Sequence, residues 1–138
     1  MIEKIKINEK DNILIIAPHP DDECIGVGGI LIQYPEQCTI IVCTDGRRAT
    51  GDYSSNEIIQ IRKKEFLDEM GYLGITRYRM LNMVDGTLMG NTTYLDFIDF
   101  SRYTKIFFPH NLDGHPDHSA VYMCVTEKLK IMGNINVE

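Results

Sequence analysis

The sequence lacks the cysteine pattern and the long apolar segments that mark secreted or membrane proteins. Its four cysteines include no Cys-x-x-Cys pair, which argues against both a disulfide framework and a cysteine-type zinc ribbon. The N-terminal stretch MIEKIKINEK contains no apolar core of a secretory signal. The longest apolar run, residues 13–18, is far shorter than the roughly 20 residues that cross a bilayer. We therefore predict a cytoplasmic protein with reduced thiols.

An excess of basic residues is also absent. The formal net charge is -6 at pH 7 and the isoelectric point is about 5.2, whereas nucleic acids and anionic membranes favour basic patches. We therefore predict no nucleic-acid partner and no membrane partner. The 138 residues, 43% of them hydrophobic, suit one domain with one hydrophobic core.

Short apolar runs alternate with helical patterns along the chain. Three runs are typical of buried strands, NILIIAP, CTIIVCTDG and KIFFPH, and RYRMLNM is predicted as a further strand. Strands that alternate with helices form parallel sheets with helices packed on their faces. The sequence therefore predicts an α/β fold with a mostly parallel sheet of four to five strands and helices on both faces.

Helices are predicted between these strands. The first is CIGVGGILIQY, and the second begins at Ser54, whose spacing to Glu57 is that of a capping box. Gly71 is the expected C-terminal stop of this second helix. A short helix is expected over residues 92–102, and a last helix is expected to start near Asp117 or His118.

Polar clusters follow the first and the fourth predicted strands. PHPDDE holds His19 and Asp22, and DGHPDH holds His115 and His118 at the same spacing of three. Either motif alone is more commonly a capped turn than a metal site. Carboxyl ends of parallel strands share one edge of a sheet, so we expect the two clusters to converge. Because zinc binds imidazole nitrogen and carboxylate oxygen, the pair of motifs predicts a metal site.

The motifs PHPDDECIGVGG and DGHPDH resemble the paired signatures of the PIG-L/LmbE-like zinc-dependent N-acetylglucosamine deacetylases. Between them, IRKKEFLDEMGYLGI resembles the Arg-x-x-Glu helix of that family, and the TDG after the second strand and the DG before Thr87 also fit. The resemblance covers about residues 13–125. It implies a Rossmann-like fold, a catalytic Zn2+ and hydrolysis of an acetamido group on a small-molecule N-acetylated amino-sugar conjugate.

The resemblance also implies roles for individual residues. His19, Asp22 and His118 are the implied zinc ligands, and Asp21 is the implied general base that takes a proton from water. His115 is implied to stabilise the oxyanion or to protonate the leaving amine. Such a set suits amide hydrolysis, which needs a polarised carbonyl, a base for water and an acid for the leaving nitrogen.

Three further residues have alternative interpretations. Asp117 either orients a histidine through its ring N–H or only complements the helix dipole from the first turn. Arg62 matches a family arginine that contacts substrate, and its alternative is a surface ion pair with Glu65. Glu23 lies early in a helix, where a carboxylate is favoured anyway, so we do not predict a catalytic role for it.

The resemblance further implies that relatives continue beyond the last predicted helix, whereas this chain stops at GNINVE. We therefore expect residues 1–138 to form a single domain that lacks the usual C-terminal segment of the family, binds zinc and forms a homo-oligomer. Two functions stay open: an active N-deacetylase, or an incomplete, non-catalytic zinc-binding module of the same fold. A metal-dependent hydrolase of another ester or amide is a third, less favoured class.

Overall fold

The computed structural model, which describes residues 4–49 and 51–133, is organised around four parallel strands in the order β3-β2-β1-β4. Their bounds are β1 Ile13–Ala17, β2 Cys38–Thr44, β3 Tyr78–Met83 and β4 Lys105–Phe107. Every residue of β1 is buried, as expected for a central strand covered on both faces. The predicted parallel α/β sheet is confirmed.

Three helices cover the two faces of this sheet: α1 Asp22–Gln33, α2 Ser55–Leu73 and α3 Pro116–Met132. Side chains alternate across a strand, so Ile13 and Ile15 pack with α1 and α2, while Leu14 and Ile16 pack with α3. Helices therefore lie on both faces, as predicted. Within the described ranges, no helix has both the length and the apolar character needed to cross a membrane.

The second helix starts where the sequence predicts but ends later. The Ser54 hydroxyl accepts from the backbone N–H of Glu57, and the Glu57 carboxylate accepts from the N–H of Ser54 at 2.8 Å, which completes the capping box. The predicted stop at Gly71 is wrong. The helix continues to Leu73 because Gly74, with φ of 71°, is the residue that adopts the left-handed conformation of a C-terminal cap.

The helix predicted over residues 92–102 is also wrong. This segment forms separate turns and one short 3-10 turn at Phe100–Arg102. Its backbone hydrogen bonds join residues three apart, such as Asp96 N to Thr93 O at 3.0 Å. They do not form the continuous series of bonds between residues four apart that defines an α-helix. Leu95 and Phe100 nevertheless pack into the core beside α3, so tertiary packing decides the conformation of this segment.

The strand order brings the two polar motifs together. β1 pairs with β2 on one side and with β4 on the other, with Ile15 opposite Phe107. The chain thus leaves β1 towards β2 and returns on the opposite side of β1 as β4. A crevice outside the carboxyl ends of two such strands is the usual ligand site of a parallel sheet. The loops after β1 and β4 meet at this crevice.

Candidate metal centre

His19 occupies the centre of the crevice and is buried. Its Nδ1 lies 3.0 Å from Asp22 Oδ2, and its Nε2 lies 3.2 Å from Asp117 Oδ2 and 3.2 Å from Asp85 Oδ1. One imidazole therefore contacts three carboxylates from three parts of the chain. Burial by itself would lower the pKa of His19, but the hydrogen bond to Asp22 and the charges of Asp22 and Asp85 outweigh it and raise the pKa.

The bend from β1 into α1 brings Asp22 next to His19. The backbone N–H groups of Asp21 and Asp22 donate to His19 O at 3.0 and 3.3 Å. In return, the N–H of His19 donates to Asp22 Oδ2 at 2.9 Å. These local bonds close a tight turn, so the spacing of three residues suffices to place the carboxylate against the imidazole.

His118 reaches the same carboxylate from α3. Its Nε2 lies 3.1 Å from Asp22 Oδ2, and its Nδ1 contacts Asp113 Oδ2. A single oxygen of Asp22 is therefore shared between two imidazoles. Burial would raise the pKa of the Asp22 carboxyl, but the hydrogen bond to His19 and the charge of His118 hold it below its usual value.

His115 caps α3 and completes a group of three histidines. Its Nδ1 accepts from the backbone N–H of Asp117 at 3.2 Å, which leaves Nε2 as the ring nitrogen not used by the cap. The His115 ring centroid lies 4.5 Å from that of His19 and 5.0 Å from that of His118. One nitrogen of each ring lies within 4.8 Å of the other two, which is close enough for a shared ion.

Asp117 and Asp85 contact His19 at Nε2, the ring nitrogen that faces away from Asp22. Asp117 is fully buried and accepts from the N–H groups of Gly86 at 2.7 Å and Leu88 at 3.1 Å as well as contacting His19. Its carboxylate thus contacts the histidine of the first motif, whereas its backbone N–H donates to His115 of its own motif. Asp85 Oδ2 accepts from Arg48 N at 2.9 Å.

One oxygen of Asp85 lacks a hydrogen-bond donor among the described residues. Asp85 Oδ1 is buried without such a bond, although His19 Nε2 lies 3.2 Å away. The approach is within ion-pair distance but outside hydrogen-bond geometry. A buried carboxylate oxygen without a donor is costly unless a cation compensates it. His19, Asp85 and Asp117 also have ligand atoms within 4.8 Å of one another, so this side of the cluster also suits a cation.

Asp21 lies at the rim of the site in an unusual backbone conformation, with φ of 151° and ψ of -21°. Its carboxylate is about half exposed and pairs with Arg62 Nη2 at 2.9 Å. The same Nη2 donates to Pro20 O at 2.7 Å. Arg62 therefore pairs with Asp21 and not with Glu65, the partner that the alternative interpretation expected.

Glu23 is buried behind Asp21. Burial raises the pKa of its carboxyl to about 7. Its Oε2 accepts from the backbone N–H of Asp21 at 3.2 Å, while its Oε1 has no hydrogen-bond partner among the described residues. Glu23 thus supports the backbone of the turn.

A cavity of about 190 Å³ opens onto the cluster. It is lined by side chains of both motifs and by loops after β2 and β3: His19, Asp21, Gly46, Arg48, Ala49, Arg62, Asp85 and His115. A second cavity of about 290 Å³ reaches Asp22 and His118 from the side of β4. The histidines are therefore accessible to a small molecule from two directions.

Three residues of the site were not predicted from the sequence: Asp85, Asp113 and Arg48. The DG dipeptide of Asp85 fits the family resemblance and follows a predicted strand, so it belongs to the same sheet edge, but no role of its carboxylate was predicted. Asp113 directly precedes the glycine of the second motif. Arg48 has no local signal, because only the packing of two loops brings it to the cavity.

Comparison with known proteins finds both motifs within the match to one protein family. A family model described as PIG-L: GlcNAc-PI de-N-acetylase matches residues 14–129. The Bacillus subtilis (strain 168) protein named "Probable N-acetyl-alpha-D-glucosaminyl L-malate deacetylase 2" is 33% identical over 128 residues, covering 80% of this chain and 57% of that protein. Diacetylchitobiose deacetylase of Thermococcus kodakarensis is 30% identical over 129 residues, covering 82% of this chain and 48% of that enzyme.

A solved structure agrees with the fold. N,N'-diacetylchitobiose deacetylase from Pyrococcus horikoshii superimposes with a TM-score of 0.73 at 26% identity, over 89% of this chain and 51% of that chain. The chain spans 57% and 48% of the length of the two curated relatives. Because the family model matches most of the sequence, including both histidine motifs, the chain belongs to the PIG-L family.

Proposed function

We propose that this chain carries the catalytic residues of a zinc-dependent hydrolase that removes the acetyl group from an N-acetylglucosamine-type conjugate. The observation that carries the proposal is the shared oxygen of Asp22, which contacts imidazoles of His19 and His118 from two different strand ends. The names of the relatives, deacetylases of N-acetylglucosaminyl malate and of diacetylchitobiose, support the substrate class.

The donor set fits a zinc ion. His19, Asp22 and His118 would hold it, since two imidazole nitrogens and one carboxylate oxygen form a common set of catalytic zinc ligands. The buried Asp85 oxygen without a donor adds negative charge that a cation would offset. A bound zinc would polarise the amide carbonyl and lower the pKa of water to about 7.

Asp21 and His115 are the proposed proton-transfer residues. Asp21 is half exposed beside the cavity, so its carboxylate can take a proton from the attacking water. His115 keeps one ring nitrogen free because the other caps α3. The proton on that nitrogen can be donated as a hydrogen bond to the developing oxyanion. Transfer of a proton to the leaving amine would instead require Nδ1 to carry a proton as well and so to give up the cap.

Carboxylates behind the histidines hold the ring orientations. Asp85 and Asp117 face Nε2 of His19, and Asp113 faces Nδ1 of His118. Such partners fix the tautomer and the direction of a ligating ring. We propose that Arg62 acts in the same indirect way on Asp21. Its predicted contact with substrate stays a prediction.

The second candidate function is a zinc-binding module without catalysis. The chain spans 57% and 48% of the length of the two curated relatives, so the activity of those whole proteins comes to this chain only as a proposal. Self-association can use the edge of β4, which has a partner strand on one side only among the described strands. The homo-oligomer and the cytoplasmic location remain predictions.

One experiment separates these functions. The chain is purified with zinc, its metal content is measured by mass spectrometry, and acetate release is followed with N-acetylglucosaminyl malate and diacetylchitobiose. Bound zinc together with acetate release supports the deacetylase. Bound zinc without acetate release supports the binding module, and the absence of zinc contradicts both. Light scattering on the same sample tests the oligomer, which a monodisperse monomer would exclude.

A further inference from the structure

Arg48 lines the cavity that also holds Asp21 and His115. It lies in the turn after β2, and its backbone N–H donates to Asp85 Oδ2 at 2.9 Å. This bond ties the turn to the buried carboxylates around His19. The main chain of Arg48 is therefore fixed relative to the metal-binding cluster, independently of what its side chain does.

Gly86 makes room for the guanidinium of Arg48. A Cβ atom built at Gly86 would clash with Nη1 and Cζ of Arg48. Gly86 also has φ of 85°, a conformation that favours glycine. The guanidinium thus rests directly on the backbone of the loop after β3, at the wall of the cavity.

The Arg48 side chain is exposed and, unlike the arginines nearby, has no ion-pair partner among the described residues. Arg62 is bound to Asp21 at 2.9 Å, and Arg47 is bound to Asp45 at 2.6 Å. Over residues 4–49 and 51–133, no carboxylate lies within ion-pair distance of the Arg48 guanidinium. A guanidinium held at a cavity wall without a protein carboxylate is suited to an anion supplied by the ligand.

We propose that Arg48 binds a carboxylate or phosphate group on the aglycone of the substrate, and so selects anionic N-acetylglucosamine conjugates over neutral ones. This inference rests on the proposed deacetylase function. The acetamido group would face His19, Asp21 and His115, and the anionic group would face the loop wall formed by Arg48 and Gly86. The planar guanidinium can donate two parallel hydrogen bonds to either kind of anion.

The kinetic test compares three substrates: N-acetylglucosaminyl malate, N-acetylglucosamine 1-phosphate and methyl N-acetylglucosaminide. Arg48→Gln keeps much of the side-chain length but removes the charge, and Lys63→Gln removes an equal charge from an exposed position on α2. We expect the ratio of kcat/KM for an anionic over the neutral substrate to fall about tenfold or more in Arg48→Gln. The ratio should be unchanged in Lys63→Gln.

Direct binding distinguishes a failure of this inference from a failure of the proposed function. The deacetylated malate conjugate and methyl glucosaminide are titrated into each variant by calorimetry. If no substrate releases acetate, the proposed function fails, yet tighter binding of the malate conjugate that is lost in Arg48→Gln still supports the anion site. The anion site would be overturned if the wild type bound the malate conjugate and methyl glucosaminide equally well. It would also be overturned if Arg48→Gln and Lys63→Gln lost the same affinity for the malate conjugate. A loss confined to the malate or to the phosphate substrate identifies which anion is bound.

Discussion

Asp22 Oδ2 lies 3.1 Å from His118 Nε2, although the two residues lie in the first turns of the first and the last helix of the chain. The contact crosses the crevice between β1 and β4. It is possible because these strands are neighbours and both end at this edge of the sheet. The two motifs therefore form one site instead of two separate capped turns, and the predictions below test this arrangement.

Removing His118 should empty the metal site. Wild-type protein and His110→Ala should each carry about one zinc ion per chain, whereas His118→Ala should lose it, because three protein ligands are the usual minimum for such a site. His110 is a matched control since its ring packs on Tyr122, with centroids 5.5 Å apart, outside the histidine group. Mass spectrometry of the purified variants measures the zinc. Equal zinc in the wild type and His118→Ala would remove His118 from the site.

Asp21→Asn should keep zinc but slow turnover. The amide preserves the size of the side chain and removes its basicity, so we expect kcat to fall about 10²-fold or more. Asp68→Asn, on the exposed face of α2, should leave kcat unchanged. Acetate release and zinc content are measured on the same samples. Near-normal turnover of Asp21→Asn would contradict a role as base, and loss of its zinc would make Asp21 a ligand.

His115→Asn separates catalysis from helix capping. The His115 ring caps α3, so an alanine variant would combine lost capping with a lost imidazole. Asparagine is itself a good N-cap residue, and His115→Asn should therefore keep the melting temperature near that of the wild type. We expect kcat to fall more than KM rises, since the imidazole would act mainly on the transition state. An effect on KM alone would assign His115 to substrate binding.

Ser54→Ala should destabilise the fold without changing the site. Loss of the capping box at the start of α2 should lower the free energy of unfolding by about 1 kcal/mol. Ser55→Ala, at the next and equally exposed position, is the matched control and should change it by less than about 0.5 kcal/mol. Urea denaturation measures both. Equal stabilities of the two variants would show that the cap contributes nothing measurable.

Asp11 should make stability depend on acid pH. Its carboxylate accepts from Asn8 N at 2.9 Å and from Thr104 Oγ1 at 2.8 Å, and these bonds lower the pKa of Asp11 in the folded protein. A carboxyl with a lowered folded pKa stabilises the fold above its unfolded pKa, about 3.9, and loses that contribution as pH falls through the folded value. The difference between the urea midpoints of the wild type and Asp11→Asn should therefore be largest near pH 6 and shrink as pH falls below about 3.9. A difference independent of pH would contradict this role.

Local chemistry made several features predictable from the sequence. The capping box at Ser54 and Glu57 forms as expected because its partners are three residues apart and need no tertiary context. The contact between His19 and Asp22 has the same origin in a short turn. The central strands β1 and β2 were recognisable because a parallel strand covered on both faces must be apolar on both.

Tertiary structure decided the rest. Sequence patterns predict strands but not their order, and only the position of β4 beside β1 brings His118 to Asp22. The contacts of Arg62 with Asp21 and of Asp85 with His19 likewise join elements that are distant in sequence. The turns around Leu95 follow from packing against α3, which overrode the local helical pattern. Short-range spacing thus determined the halves of the site, and the energy of burying both faces of one sheet determined how they meet.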